Sequence, residues 1–145
     1  MSHDVVHAPH RPSHYRPTLV SYFSLATWSW FVYGLGACLA LLGDEQQSSS
    51  WLHGLHGTSL AIGGVVGALL TPALNNRFGR GVVMRVGVLG AAAGVALFLI
   101  PGAPVAWTLG WVFVATFFGN LIVVCVNAFI AAHQGSAAPA AFTES

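Results

Sequence analysis

The sequence contains no lysine, and its formal charges are five arginines and four acids in 145 residues. Charged side chains make up 6% of the chain, against ~25% in an ordinary soluble domain. So few charges cannot clothe a water-facing globule of this size, which excludes a soluble enzyme. A net charge of +1 without a basic patch excludes a nucleic-acid binder. The two cysteines, Cys38 and Cys125, both sit inside apolar runs. They read as small buried hydrophobes and exclude a disulfide-stapled secreted domain. No apolar segment precedes Arg16, so the start of the chain is not a signal peptide. No Ser-His-Asp or Cys-His pairing, no phosphate-cradling glycine loop and no carboxylate within an apolar run is visible. Catalytic chemistry therefore has no candidate residues, and no cofactor or metal is expected.

What is abundant is apolar sequence, 55% of the residues. No charge stands between Arg16 and Asp44, between Glu45 and Arg77, or between Arg85 and Glu144. Within those gaps four spans are legible, at about 18–42, 52–74, 82–100 and 105–132. Each is long enough to cross a bilayer, which takes ~20 apolar residues in a helix. Residues 1–17, broken by Pro9, Pro12 and Pro17, read as a short disordered tail. Residues 133–145 read as a second tail. Between the spans lie the polar Gly43–Ser50 segment, a junction around Asn75–Gly81, and the turn Pro101-Gly102-Ala103-Pro104. The expected fold is all-α and integral to the membrane, with four transmembrane helices.

Orientation follows from the arginines. Arg11 and Arg16 precede the first span, while Arg77, Arg80 and Arg85 cluster at the second junction. The two remaining loops carry no positive charge. Both termini are therefore expected on the cytoplasmic side, with Trp51, Trp107 and Trp111 near the opposite interface. The Ala-, Gly- and Val-rich, lysine-free composition points to the cytoplasmic (inner) membrane of a GC-rich bacterium.

The spans differ in chemistry. The third has no polar side chain after Arg85, and its Gly87, Gly90 and Gly94 allow close helix contact. The second carries a small-residue face at Gly63, Gly67 and Ala68. On the first, Thr18, Tyr22, Ser29 and Tyr33 fall within about 60° of one another, and on the fourth Thr116, Asn120 and Asn127 fall within about 40°. An amide in hydrocarbon needs partners, so these faces should point inward, either to bond between helices or to line a polar cavity. Tyr22, Ser29, Tyr33, Asn120 and Asn127 are the candidate solute contacts. His3, His7, His10 and His14 read as a solvated, proline-broken set, and His53 and His56 as interfacial residues near the start of the second span.

The junction Asn76-Arg77-Phe78-Gly79-Arg80-Gly81 resembles the signature loop of the major facilitator superfamily, roughly Gly-x-x-x-Asp-Arg-x-Gly-Arg-Arg, between helices two and three. Arg77, Gly79 and Arg80 match; Asn76 replaces the aspartate, Gly81 the last basic residue and Pro72 the leading glycine. The resemblance, taken over residues 17–132, implies the amino-terminal part of a transporter bundle. It implies that helices one and four line the solute cavity while helix three faces lipid, and that Asn76, Arg77, Gly79 and Arg80 form a gating loop, with the charged half of the family's latch missing at Asn76. A complete member has twelve helices in two halves built of inverted repeats. Four helices are then expected to be an incomplete transporter on their own, with lipid, a small solute and either the remaining helices or a second copy as partners. Two other readings stand beside it. One is a small oligomeric exporter, although the first span lacks the membrane-embedded acid such proteins use; the other is a non-transporting subunit packing through Gly63 and Gly67.

Overall fold

A computed structural model describes residues 15–46 and 50–134 of the chain. Four helices follow one another, α1 (Tyr15–Gln46), α2 (Ser50–Phe78), α3 (Arg80–Phe98) and α4 (Val105–Gln134), and no strand occurs among the described residues. Three segments, Gly54–Phe78, Arg80–Phe98 and Val105–Ala132, are long and apolar enough to cross a bilayer. Large apolar side chains stand exposed all around the unit, among them Leu69, Leu89 and Leu99. Such a surface is stable against hydrocarbon and not against water, and the chain is built as a multi-pass membrane protein.

The helices match the four spans in order and differ at their ends. α1 begins at Tyr15, so Pro17, placed in the tail by sequence, falls in the first helical turn. There the backbone N–H has no intrahelical acceptor and proline is tolerated. The rest of the amino-terminal tail, with its four histidines and Arg11, lies outside the described residues, as does 135–145. α2 runs through Pro72 and on to Phe78, which shrinks the expected second loop to one residue. Gly79, with φ 81° and ψ 146°, donates its N–H to the Asn75 carbonyl at 2.9 Å and accepts from the Val83 N–H at 3.2 Å. One residue thus closes α2 and opens α3, in a conformation that side chains rarely adopt.

A Cβ at Gly79 would meet nothing within 4 Å, so Gly79→Ala isolates the backbone term. It is expected to destabilise the unit by about 1–3 kcal/mol, read as a lowered thermal midpoint in detergent, whereas Gly81→Ala, equally free of neighbours and helical, should lower nothing. Equal midpoints for the two variants would remove the strained turn from this description.

The expected turn after α3 is present. Gly102 has φ 70°, and the Pro104 carbonyl accepts from the Trp107 N–H at 2.9 Å and the Thr108 N–H at 3.2 Å to open α4. The Trp107 indole N–H reaches back to the Leu97 carbonyl at 2.9 Å, satisfying one of the orphan acceptors at the end of α3.

Packing makes α4 the hub. α2 and α3 lie along it on separate sides, α1 touches it more lightly and also touches α2, and α1 stands apart from α3. α3 buries one stripe, Val83, Gly87, Ala91, Gly94 and Phe98, at the three-and-four spacing of a single helix face. At its centre a Cβ on Gly94 would come within 2.8 Å of the Ala115 backbone, so only glycine lets the two helices approach this closely. The start of α1, the Gly79 turn and the end of α4 gather at one end, where Tyr22 and Met84 pack against Val126 and Ile130. The opposite end is closed by Leu35, Phe98 and Val112, with Leu60 and Trp111 against them. Cys125 is buried at the first end and donates its thiol to the Asn75 side chain at 3.4 Å. Cys38 is exposed on α1, which corrects its reading as a buried hydrophobe: α1 has few neighbours to cover it.

Candidate functional site

The polar groups placed together by sequence fall in different parts of the molecule. Asn120, half-buried on α4, turns into the α2 seam. A Cβ on Gly64 would lie 2.9 Å from its amide nitrogen, and one on Gly67 3.2 Å from its own Cβ. Its amide donates to the Thr116 carbonyl one turn back, at 3.1 Å. The buried Thr116 hydroxyl likewise serves its own helix, donating to Val112 O at 2.9 Å and lying 3.1 Å from Phe113 O. Backbone carbonyls thus take the Thr116 hydroxyl proton and one Asn120 amide hydrogen. Asn127 is half-buried farther along α4.

Of the α1 residues, Tyr22 is half-buried against Val126 and Ile130, while Ser29 and Tyr33 are exposed, Tyr33 to 81%. The side chain of Thr18 lies outside the described residues. No hydrogen bond joins any two of Tyr22, Ser29, Tyr33, Asn120 and Asn127, because the α1 residues meet the α3-side seam of α4 or the outside, and Asn120 meets α2.

Two cavities follow the α1–α3 seam over α4. One, of about 340 Å³, has Ser21, Arg80, Met84 and Val126 in its wall. The other, of about 660 Å³, has Thr27, Trp28, Val88, Ala92, Ala96 and Leu99. None of the five candidate contacts lines either one. The junction residues are better placed: Arg80 enters the first cavity, whereas Arg77 lies over the Phe78 ring at 5.3 Å. Asn76, Arg77 and Arg80 are helical and exposed rather than members of a loop. The expected loop is reduced to one residue, Gly79, between two helix ends.

The least expected group is His56. Sequence placed it at the interface; the structure buries it to 1% exposure between α2 and α4. Its Nδ1 lies 3.0 Å from the Leu52 carbonyl and its Nε2 2.8 Å from the Thr108 hydroxyl. A carbonyl only accepts, so Nδ1 is the donor towards Leu52, and the contact between Nε2 and the Thr108 hydroxyl links α2 to α4. That hydroxyl also donates to the Val105 carbonyl at 2.9 Å. One turn on, the Ser59 hydroxyl donates to the Leu109 carbonyl at 2.7 Å, so the α2–α4 seam is tied twice at this end. The signal available in sequence was the spacing of His56, Ser59 and Gly63, which share one face of α2 at three and four residues. The side chain of His53 is outside the described residues, and no group of three metal-ligating side chains occurs among the described ones.

The Gly63–Gly67 face is used within the chain. Side chains there would run into the Thr116 hydroxyl and the Phe113 and Phe117 carbonyls of α4. The small-residue face expected from the sequence thus packs against α4. The chain matches no family model, no curated protein and no solved structure.

Proposed function

We propose that the chain is membrane-embedded machinery for moving a small solute, a secondary transporter of the kind the Arg77-Phe78-Gly79-Arg80 junction resembles, with α1 facing the solute path. The observation that carries this reading is the contrast between two exposed helix faces. Beyond Arg85, α3 exposes only apolar side chains such as Val86, Val88 and Leu89. α1 exposes Ser29 and Tyr33 between aromatic residues. Unlike Ser24 and Thr27, which donate to carbonyls of their own helix, Ser29 and Tyr33 make no hydrogen bond among the described residues. The face bearing them is therefore stable where water or polar groups reach it. In this reading α1 crosses the bilayer as a fourth span, and further helices, from the same polypeptide or another, close the path over it. Arg77, Arg80 and Arg85 at one end set that end in the cytoplasm of a bacterial cell, with both termini on that side. Asn120 serves the packing of α2 on α4, and Tyr22 packs where α1 meets the end of α4.

Accessibility tests this without knowing the solute. In a background with Cys38→Ser and Cys125→Ala, cysteines at Ser29, Tyr33, Leu89 and Ala93 are labelled in vesicles with a membrane-impermeant maleimide. Ser29→Cys and Tyr33→Cys are expected to react on the order of tenfold faster than the two α3 positions, the ratio that ~1.4 kcal/mol of differential access gives. Equal rates would put the α1 face in lipid and end the reading.

A further inference from the structure

The α1–α3 seam carries two cavities end to end. α1 stands apart from α3, and the gap between them is floored by α4, so the two cavities succeed one another along one line. Residues 20–21 and then 23–31 supply the α1 wall, 80–84 and then 88–99 the α3 wall. From Met84 to Leu99 the line runs ~22 Å along a helix rising ~1.5 Å per residue, more than the ~15 Å depth of one leaflet of hydrocarbon.

The chemistry of the groove selects its occupant. The hydroxyls of Ser24 and Thr27, which line the larger part, donate to the Val20 and Phe23 carbonyls of their own helix, each at 2.8 Å. They have no proton left for a ligand, and the surface they share with Trp28, Val88, Ala92 and Ala96 is hydrocarbon-like. At the other extreme the line ends on Arg80. This guanidinium stands in the first turn of α3, the positive end of the helix dipole, where an anion is favoured and a cation is not. The first turn holds no acid, and the acids among the described residues, Asp44 and Glu45, belong to the far end of α1. An apolar slot of acyl-chain length that terminates in a cation without an anionic partner among the described residues complements one kind of molecule in a bilayer. We infer that the seam binds an anionic phospholipid, its phosphate against Arg80 and an acyl chain between α1 and α3. The inference requires only that the chain lies in a membrane and is independent of the transport reading.

The test is native mass spectrometry of the full chain released from nanodiscs holding equal amounts of phosphatidylglycerol and phosphatidylcholine. Wild type and Arg77→Gln should retain phosphatidylglycerol about fivefold over phosphatidylcholine, the ratio that ~1 kcal/mol per basic side chain at the membrane surface gives. Arg80→Gln should bring the two within twofold, and Arg80→Lys should restore the preference. Ala96→Trp, which fills the slot, should lose both adducts. Burial of Cys125 against maleimide in each variant shows that the fold is kept, and addition of inorganic phosphate should not displace the lipid. An equal preference in wild type and Arg80→Gln, or full retention in Ala96→Trp, overturns the inference. So does displacement by phosphate, which would make the site one for a free anion.

Discussion

Leucine at Gly67 is expected to open the four-helix unit. A Cβ there would run into the Phe117 carbonyl and lie 3.2 Å from the Asn120 Cβ, and a backbone carbonyl inside α4 cannot move aside as a flexible side chain can. The single methyl of Gly67→Ala should already destabilise by about 1–3 kcal/mol, the range for overpacking. The three further carbons of leucine force α2 off the hub, and total stabilities are only ~5–15 kcal/mol. Gly63→Leu should behave alike, since its neighbours are Thr116 and the Phe113 carbonyl. Gly57, on the same helix but with nothing within 4 Å of a Cβ, provides the opposite sign: Gly57→Ala should be neutral or gain up to ~1 kcal/mol from helix propensity. The readout is the reactivity of buried Cys125 in a Cys38→Ser background, because that thiol sits where α2, α3 and α4 meet. If Gly67→Ala exposes Cys125 no sooner on heating than Gly57→Ala does, close α2–α4 packing is not what holds the unit.

Removal of His56 is the second large effect. His56→Ala empties an imidazole-sized space at 1% exposure and strips the bonds at 3.0 Å to Leu52 O and 2.8 Å to Thr108. Truncating a large buried side chain costs ~2–5 kcal/mol, while a hydrogen bond between membrane helices contributes only ~0.6–2 kcal/mol. Volume should therefore dominate, and the order of midpoints should be wild type above His56→Leu above His56→Ala, read by the same Cys125 assay. A double-mutant cycle with Thr108→Val isolates the bond itself, with an expected coupling of ~1 kcal/mol. Zero coupling would mean that His56 is a space-filler and that the pairing with Thr108 contributes nothing. Midpoints equal for leucine and alanine would instead deny that the site is tightly packed.

Both predictions fall on the α2–α4 seam, and only half of that seam was legible beforehand. The glycines at 63 and 67 announce a close approach by their spacing, but they do not say to what. A membrane helix is apolar on every side, so its hydropathy carries little information about which face packs. The partner is decided by which neighbour offers a matching backbone surface. For Gly63 and Gly67 it is the 113–120 stretch of α4, and for Gly94 it is Ala115. Asn120 shows the same limit. Its angular position shared with Asn127 was computable, yet whether that face met α1 or α2 depended on how α4 is rotated in the bundle.

The order and approximate bounds of four helices, the proline-glycine turn at 101–104, the gathering of Arg77 and Arg80 at one end and the apolar outer face of α3 were all determined by sequence alone. Each follows from where charge and backbone-breaking residues are absent or present along the chain, and such one-dimensional facts survive folding. The central position of α4, the burial of His56, the reduction of the junction to Gly79 and the standing-off of α1 from α3 were decided only in three dimensions. They depend on relative rotation and distance between helices, which are set by many small packing contacts. The sequence lists the atoms that make those contacts but not their pairing. The few charges mark where the apolar helices begin and end, whereas the pairing of uncharged surfaces determines how those helices sit against one another.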